Sequence, residues 1–175
     1  MKVVVISGSP RKQAVTQTMM KFVYDYTKSK NPDTKFINLS EGGIDYYRGY
    51  DVQYSQTTTQ AAKDIMDADV WLVGTPIYNS FFSAALKNLF EYVNYKNTAG
   101  KTAGLAILAS EQIGFTDVQT LLTQLMSYFR VITNPKAVFM TADQIKDNAV
   151  MDEGAKTRLK ELVDETLLLA SRPKQ

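Results

Sequence analysis

The chain has 175 residues, which is long enough for one well-buried domain and short for two. Its composition, 45% hydrophobic and 22% charged, is typical of a globular protein, and its net charge of +2 is too close to zero to indicate a nucleic-acid partner. The chain has no cysteine and no histidine, which excludes thiol chemistry, thiolate metal sites and histidine acid–base catalysis, so we expect any enzymatic reactivity to come from a cofactor.

Apolar runs and helical periods alternate along the chain. Residues 3–6 form an unbroken apolar run, typical of a strand buried on both faces. The predicted strands cover residues 3–6, 34–39, 69–75, 101–109 and 136–141. Four of the predicted helices cover about 14–29, 57–67, 80–94 and 152–171. A further helix lies between the last two and opens with a capping box at Thr116 and Gln119. This alternation predicts an α/β fold with a five-stranded parallel sheet and helices on both faces.

The whole chain, residues 1–175, is expected to form a single domain, because no repeat, low-complexity tract or linker interrupts it. No stretch approaches membrane-spanning length, and the N-terminal apolar run is too short for the core of a signal peptide. We therefore expect no membrane segment and a cytoplasmic location.

In open parallel sheets, ligands bind beyond the carboxyl ends of the strands, at the point where the strand order reverses. For the strand order 2-1-3-4-5, this point lies beside the first and third strands. The loops concerned are residues 8–18, 76–83 and 110–114, and all three carry small and polar side chains. We expect these loops to build the functional site.

The first loop, Gly8-Ser9-Pro10-Arg11, separates a strand from a helix. In this arrangement the unpaired amide N–H groups and the positive end of the helix dipole can bind an anion. The loop matches neither the triphosphate-binding loop nor the dinucleotide glycine motif. Hydroxyls of Ser9, Thr16 and Thr18 and the guanidinium of Arg11 can instead complete a phosphate site. The alternative is a plain turn in which Thr16 or a neighbour caps the helix.

The second loop, Thr75-Pro76-Ile77-Tyr78-Asn79-Ser80, follows the third predicted strand. Pro76 ends this strand, and the amide N–H groups of residues 77–80 can reach the polar atoms of a flat ring system. Alternatively, Tyr78 only packs and Asn79 caps the next helix. A phosphate at the first loop and a flat aromatic group at the second and third loops would span neighbouring strand ends.

Together with Ser83-Ala84-Ala85-Leu86-Lys87-Asn88, these motifs resemble the NADPH-dependent FMN reductase family, which includes flavin, azo and quinone reductases. The resemblance implies a flavodoxin-like three-layer sandwich that holds FMN. It implies NADPH or NADH as electron donor and a flavin, quinone or azo compound as acceptor, in a ping-pong reaction. The flavin would carry the chemistry, with no catalytic side chain and no metal.

The resemblance also implies which residues hold the cofactor. The FMN phosphate would be held by Ser9, Arg11, Thr16, Gln17 and Thr18. The flavin ring would be lined by Pro76, Ile77, Tyr78, Asn79 and Ser80, with Ser110 from the third loop. The chain departs from the family in two places: glycine is common where Ser80 stands, and many members have a Gly-Gly pair where this chain has Ser110-Glu111-Gln112.

Two other functions stay open: a flavodoxin-type electron carrier, and a flavin-free binding protein on the same fold. Such carriers are usually strongly acidic, whereas this chain is slightly basic and has Arg11 in the phosphate loop.

Aromatic residues raise the question of partners. The Tyr-rich segment 40–56 is either a solvated loop with anchoring aromatics or the border of an acceptor pocket or dimer contact. The predicted helix 80–94 has more aromatics than one buried stripe requires. That surplus, with the family resemblance, predicts a homodimer or homotetramer.

Overall fold

The computed structural model of the chain describes residues 1–172 and contains every predicted strand and helix. The strands are β1 Val3–Ser7, β2 Thr34–Asn38, β3 Val70–Tyr78, β4 Phe81–Phe82, β5 Thr102–Ala109, β6 Ile132–Thr133, β7 Val138–Thr141, β8 Ile145–Lys146 and β9 Ala149–Val150. The α-helices are α1 Val15–Lys30, α2 Gln56–Asp67, α3 Ala84–Glu91, α4 Phe115–Tyr128 and α5 Glu153–Ala170. No helix among these described residues is both long and apolar enough to cross a membrane.

The central sheet is parallel and has the order β2-β1-β3-β5, followed by β6 and β7 at the same edge. Val3 of β1 is level with Thr34 of β2 and with Val70 of β3, so the first strand lies inside the sheet. The predicted order 2-1-3-4-5 is therefore confirmed, with β5 in the fourth position. The fifth position is divided into β6 and β7 because Pro135, which lies between them, has no N–H to donate to the ladder.

The sheet separates two apolar cores, which explains why β1 has no polar alternation. Val4 and Ile6 pack into the core shared with α2, α3 and α4, whereas Val3 and Val5 pack into the core shared with α1 and α5. All four side chains are essentially inaccessible to solvent. The helices therefore cover both faces of the sheet, as predicted.

The predicted helix 80–94 begins later than expected. Phe81–Phe82 instead turns back and pairs with the end of β3 as an antiparallel hairpin. Asn79 and Ser80 form the turn with φ of 49° and 66°, the left-handed pair that a tight two-residue hairpin requires. The helix starts after Ser83, whose hydroxyl accepts a hydrogen bond from the amide of Leu86, so the alternative of Asn79 as helix cap is wrong.

Two further differences concern the C-terminal half. The predicted capping box at Thr116 and Gln119 is wrong, because the N-cap of α4 is Gly114, two residues before Thr116, and it provides no side-chain cap. The Gln119 side chain instead donates to the carbonyl of Pro135. The β8–β9 hairpin was not predicted, since its strands have only two residues each.

Candidate functional site

The first and second loops leave the sheet side by side because β1 and β3 approach each other closely at their carboxyl ends. The amide of Gly8 donates to the carbonyl of Gly74 at 2.8 Å. A Cβ atom at Gly8 would lie 2.7 Å from that same carbonyl oxygen, so only glycine fits without moving the backbone. The hydroxyl of Ser83 donates to the carbonyl of Gly8, which joins the first loop to the start of α3.

Ser9 connects the same two loops through its side chain. Its hydroxyl is fully buried and lies 3.0 Å from the hydroxyl of Tyr78. It also accepts a hydrogen bond from the amide of Arg11 at 3.3 Å. The Ser9 hydroxyl therefore holds the bend of the first loop and fixes its distance from the second.

The N-terminus of α1 has amide groups that the protein leaves uncapped. Its N-cap residue is Ala14, which offers no side-chain acceptor, so the alternative of a helix capped by Thr16 or a neighbour is wrong. By contrast, α2, α3 and α5 are capped by Ser55, Ser83 and Asp152. Free amide groups at a helix N-terminus favour an anion, because they donate hydrogen bonds and carry the positive end of the dipole.

A cavity of about 360 Å³ opens directly at this helix N-terminus, and we call it the central cavity. Its volume is within the range of small-molecule sites, about 300–1,000 Å³. Its lining comes from the first loop and α1, from the end of β3, and from the ends of β5 and β7: Arg11, Lys12, Gln13, Ala14, Val15, Thr16, Pro76, Ile77, Tyr78, Leu108, Ala109, Ser110 and Ala142. The only charged side chains in this lining are the two cations, Arg11 and Lys12.

Of the predicted site residues, Arg11, Thr16, Pro76, Ile77, Tyr78 and Ser110 line the central cavity. Ser9 lies buried behind the lining and reaches it through Tyr78. Sequence reasoning missed Lys12, Leu108 and Ala142. Two of them could have been found from the sequence. Lys12 is next to Arg11 in the first loop, and Leu108 is at the end of a predicted strand.

Four predicted residues lie elsewhere. Gln17 and Thr18 line a different cavity of about 570 Å³, between α1 and the β8–β9 hairpin, and the Gln17 side chain also accepts a hydrogen bond from Ser40. Asn79 and Ser80 are exposed at the tip of the β3–β4 hairpin and do not line the central cavity. The structure therefore does not bring these four side chains together with the other predicted site residues.

The Tyr-rich segment packs on α3 through a network around Asp45. The backbone carbonyl of Asp45 accepts hydrogen bonds from Asn88 and from the hydroxyl of Tyr92. The ring of Tyr92 meets those of Tyr47 and Tyr54 edge-on, at centroid distances of 5.3 and 4.8 Å. Desolvation, reinforced by neighbouring tyrosines, raises the pKa of both Tyr47 and Tyr92 to about 12.

The donor set and the apolar lining of the central cavity fit FMN. Arg11, Lys12 and the uncapped α1 amides stand at one side, where a phosphate needs cations and N–H donors. Pro76, Ile77 and Leu108 supply apolar surface suited to a flat ring.

Comparison with known proteins indicates the same cofactor, FMN. A family model described as NADPH-dependent FMN reductase matches residues 1–146. The chain therefore belongs to the NADPH-dependent FMN reductase family, and it is an oxidoreductase that uses FMN and NAD(P)H.

Two curated relatives illustrate the similarity. An NAD(P)H-dependent FAD/FMN reductase of Geobacillus thermodenitrificans is 23% identical over 137 residues, covering 77% of this chain and 74% of its own length. An NADPH azoreductase of Bacillus sp. (strain OY1-2) is 28% identical over 168 residues, covering 94% of this chain and 90% of the relative.

Solved structures agree on the fold. The apo form of an NADH:FMN oxidoreductase, EMOB, superposes with a TM-score of 0.83 at 21% identity, covering 98% of this chain and 91% of that chain. A WrbA-like flavodoxin protein from Agrobacterium tumefaciens gives a TM-score of 0.71 at 14% identity, covering 99% of this chain and 98% of the other. These similarities place the chain among flavodoxin-like folds.

Proposed function

We propose that the central cavity is the FMN site and that the protein passes reducing equivalents from NAD(P)H to a small-molecule flavin, quinone or azo acceptor. The observation that carries this proposal is the cavity at the uncapped N-terminus of α1, where the only charged side chains are Arg11 and Lys12. The names of two relatives, an FAD/FMN reductase and an azoreductase, support the flavin and azo acceptor classes.

Each wall of the cavity has a separate role in this proposal. Arg11, Thr16 and the first amides of α1 bind the phosphate, and the buried Ser9 holds the loop that carries them. Pro76, Ile77 and Tyr78 support the ring from the β3 side, and Ser110 from the β5 side. Bound FMN supplies the hydride-transfer chemistry, so the protein needs no acid–base pair.

We extend the proposal to the other predicted binding residues with a narrower role. Gln17 and Thr18 lie beyond the helix start, and Asn79 and Ser80 at the hairpin tip are outside the cavity lining. For these four residues we propose contact through backbone amides or an indirect influence on the loops. Substituting their side chains is therefore expected to change FMN affinity less than substituting Arg11.

We propose a single domain over residues 1–175, in the cytoplasm, assembled as a homodimer or homotetramer. Support for assembly comes from exposed aromatics near α3: Tyr46, Tyr50 and Phe81 are 86%, 91% and 56% accessible. Light scattering of the purified protein at several concentrations tests this, and a monomer at all of them contradicts it.

The function is tested by anaerobic titration of FMN-loaded protein with NADPH or NADH, followed by acceptors in steady state. Bleaching of the flavin absorbance by a pyridine nucleotide, and its return on adding a quinone, azo dye or free flavin, is the expected result. Bound flavin that neither nucleotide reduces would indicate the electron-carrier alternative. Protein that takes up no flavin would indicate a binding protein.

A further inference from the structure

A second cavity of about 430 Å³ lies at the same end of the sheet as the central cavity, and we call it the edge cavity. Its lining comes from the start of α4, the end of β7 and one side chain of α5: Gln112, Gly114, Phe115, Thr116, Phe139, Met140, Thr141, Gln144 and Arg158. Of these residues, only Gln112 and Gly114 belong to a loop that the sequence predicted to build the functional site.

The edge cavity adjoins the central cavity across two short segments. In the third loop, Ser110 lines the central cavity, whereas Gln112 and Gly114 line the edge cavity. After β7, Ala142 lines the central cavity, whereas its neighbour Thr141 lines the edge cavity. A long ligand could therefore cross from one cavity to the other over these segments.

The charge of the edge cavity favours an anion. Arg158 is the only charged residue in its lining, which contains no carboxylate. Within residues 1–172, the Arg158 guanidinium has no ion pair or hydrogen bond with another side chain. A guanidinium presents several N–H donors in a planar fork, an arrangement that matches the oxygens of a phosphate.

The rest of the lining favours a flat heterocycle. The rings of Phe115 and Phe139 are stacked, with centroids 4.9 Å apart and an interplanar angle of 23°, and both are partly exposed. Amides of Gln112 and Gln144 and the hydroxyl of Thr116 supply donors and acceptors around this apolar wall. Gln144 uses its side-chain oxygen for the amide of Thr141, which leaves its NH₂ group for a ligand.

From this combination we propose that the edge cavity binds the adenosine-phosphate half of NAD(P)H, with Arg158 on a phosphate group. The proposal rests on the proposed function, because the nicotinamide half would then reach the FMN in the central cavity. Arg158 acts as a binding and specificity residue for the donor. The phosphate is either the diphosphate bridge or the 2′-phosphate of NADPH, and the experiment separates the two.

The test is calorimetric titration of FMN-loaded protein with adenosine, ADP and adenosine 2′,5′-bisphosphate. The variants are Arg158→Gln and Arg158→Lys, with Arg172→Gln as a control that removes the same charge from an exposed arginine after α5. Arg158→Gln is expected to weaken at least one phosphate-bearing probe about tenfold or more and to leave adenosine unchanged, with Arg158→Lys intermediate.

The identity of the affected probe assigns the phosphate. A loss confined to adenosine 2′,5′-bisphosphate, with a raised KM for NADPH but not NADH, supports contact with the 2′-phosphate. A loss for ADP, with both KM values raised, supports contact with the diphosphate. The proposal is overturned if wild type binds no probe, if Arg158→Gln binds all probes like wild type, or if Arg172→Gln shows the same loss. FMN uptake and flavin reduction, measured on the same samples, report separately on the proposed function.

Discussion

The hydroxyl contact between Ser9 and Tyr78 joins the two loops that we assign to the ends of FMN. The Ser9 oxygen also accepts a hydrogen bond from the amide of Arg11, so this contact links Tyr78 to the bend of the loop that carries Arg11. Tyr78 would then orient a phosphate ligand without touching the phosphate itself.

Replacing Tyr78 by phenylalanine tests this contact. Without this bond the first loop must be ordered on binding, at a cost of about 1 kcal/mol, so we expect FMN to bind about fivefold more weakly. Riboflavin, which has no phosphate, should lose less affinity than FMN. Flavin fluorescence quenching measures both affinities, and an equal loss for the two flavins would contradict a role directed at the phosphate.

Local geometry explains which predicted residues the structure brings to or beside the central cavity. Ser9 and Arg11 follow the end of β1, and Pro76 and Tyr78 lie at the end of β3, so their place beside a strand terminus could be read from the sequence. The position of Gln17 and Thr18 at a different cavity could not be read in this way, because successive helical residues point about 100° apart and these side chains leave the face that carries Thr16. The hydroxyl-rich segment 16–18 looked uniform in sequence but faces several directions in the helix.

The β3–β4 hairpin controls how the second loop leaves the sheet. Its turn holds Ser80 at φ of 66°, a conformation that costs most side chains about 1–2 kcal/mol but glycine little. Asn79 at φ of 49° tolerates the left-handed region better, as asparagine commonly does.

We therefore expect Ser80→Gly to stabilise the protein by about 0.5–1 kcal/mol, after the added chain entropy of glycine is subtracted. Asn79→Gly serves as the matched control and should gain less. Urea denaturation followed by circular dichroism gives both changes in unfolding free energy. A Ser80→Gly variant that is less stable than wild type would contradict backbone strain at Ser80.

The hairpin and the uncapped helix α4 were the elements that sequence reasoning described wrongly. The apolar spacing around residue 80 suits a helix, and only the pairing of Phe81–Phe82 with β3, a tertiary contact, overrides it. Likewise, a threonine and a glutamine three residues apart permit a capping box, but the left-handed Gly114 starts the helix before them. In both cases the element was predictable and its first turn was not.

For the whole molecule, the topology was predictable because every central strand reads as an apolar run and a helix follows each one. The edge strand was predicted only after Pro135, over 136–141, because the two residues of β6 are too few to form an apolar run. The edge cavity was not predictable, since it depends on how α5 packs beside β7, which no local pattern specifies.

Global stability should fall in alkaline solution because of the tyrosine network on α3. Tyr47 and Tyr92 keep their protons to about pH 12 in the folded state, whereas unfolded tyrosine ionises near about pH 10. Between these values the folded state binds more protons than the unfolded state, so the unfolding free energy decreases as pH rises.

Urea unfolding of wild type and of the double variant Tyr47→Phe, Tyr92→Phe at about pH 9 and about pH 11 measures this effect. Wild type should lose more unfolding free energy between the two pH values than the variant. Ion pairs of the lysines also weaken at high pH. Because both proteins have the same lysines, this contribution to the unfolding free energy cancels in the comparison. An identical pH dependence in the two proteins would contradict the role of these tyrosines.

Binding of FMN at the central cavity is tested by an equilibrium titration of the purified protein with FMN, followed by flavin absorbance and fluorescence. Wild type and Arg172→Ala are expected to saturate with one equivalent per chain, and Arg11→Ala to bind about tenfold or more weakly because a charged phosphate contact is lost. No saturable uptake by the folded wild type, or an Arg11→Ala affinity equal to that of wild type, would contradict the assignment of the central cavity to FMN.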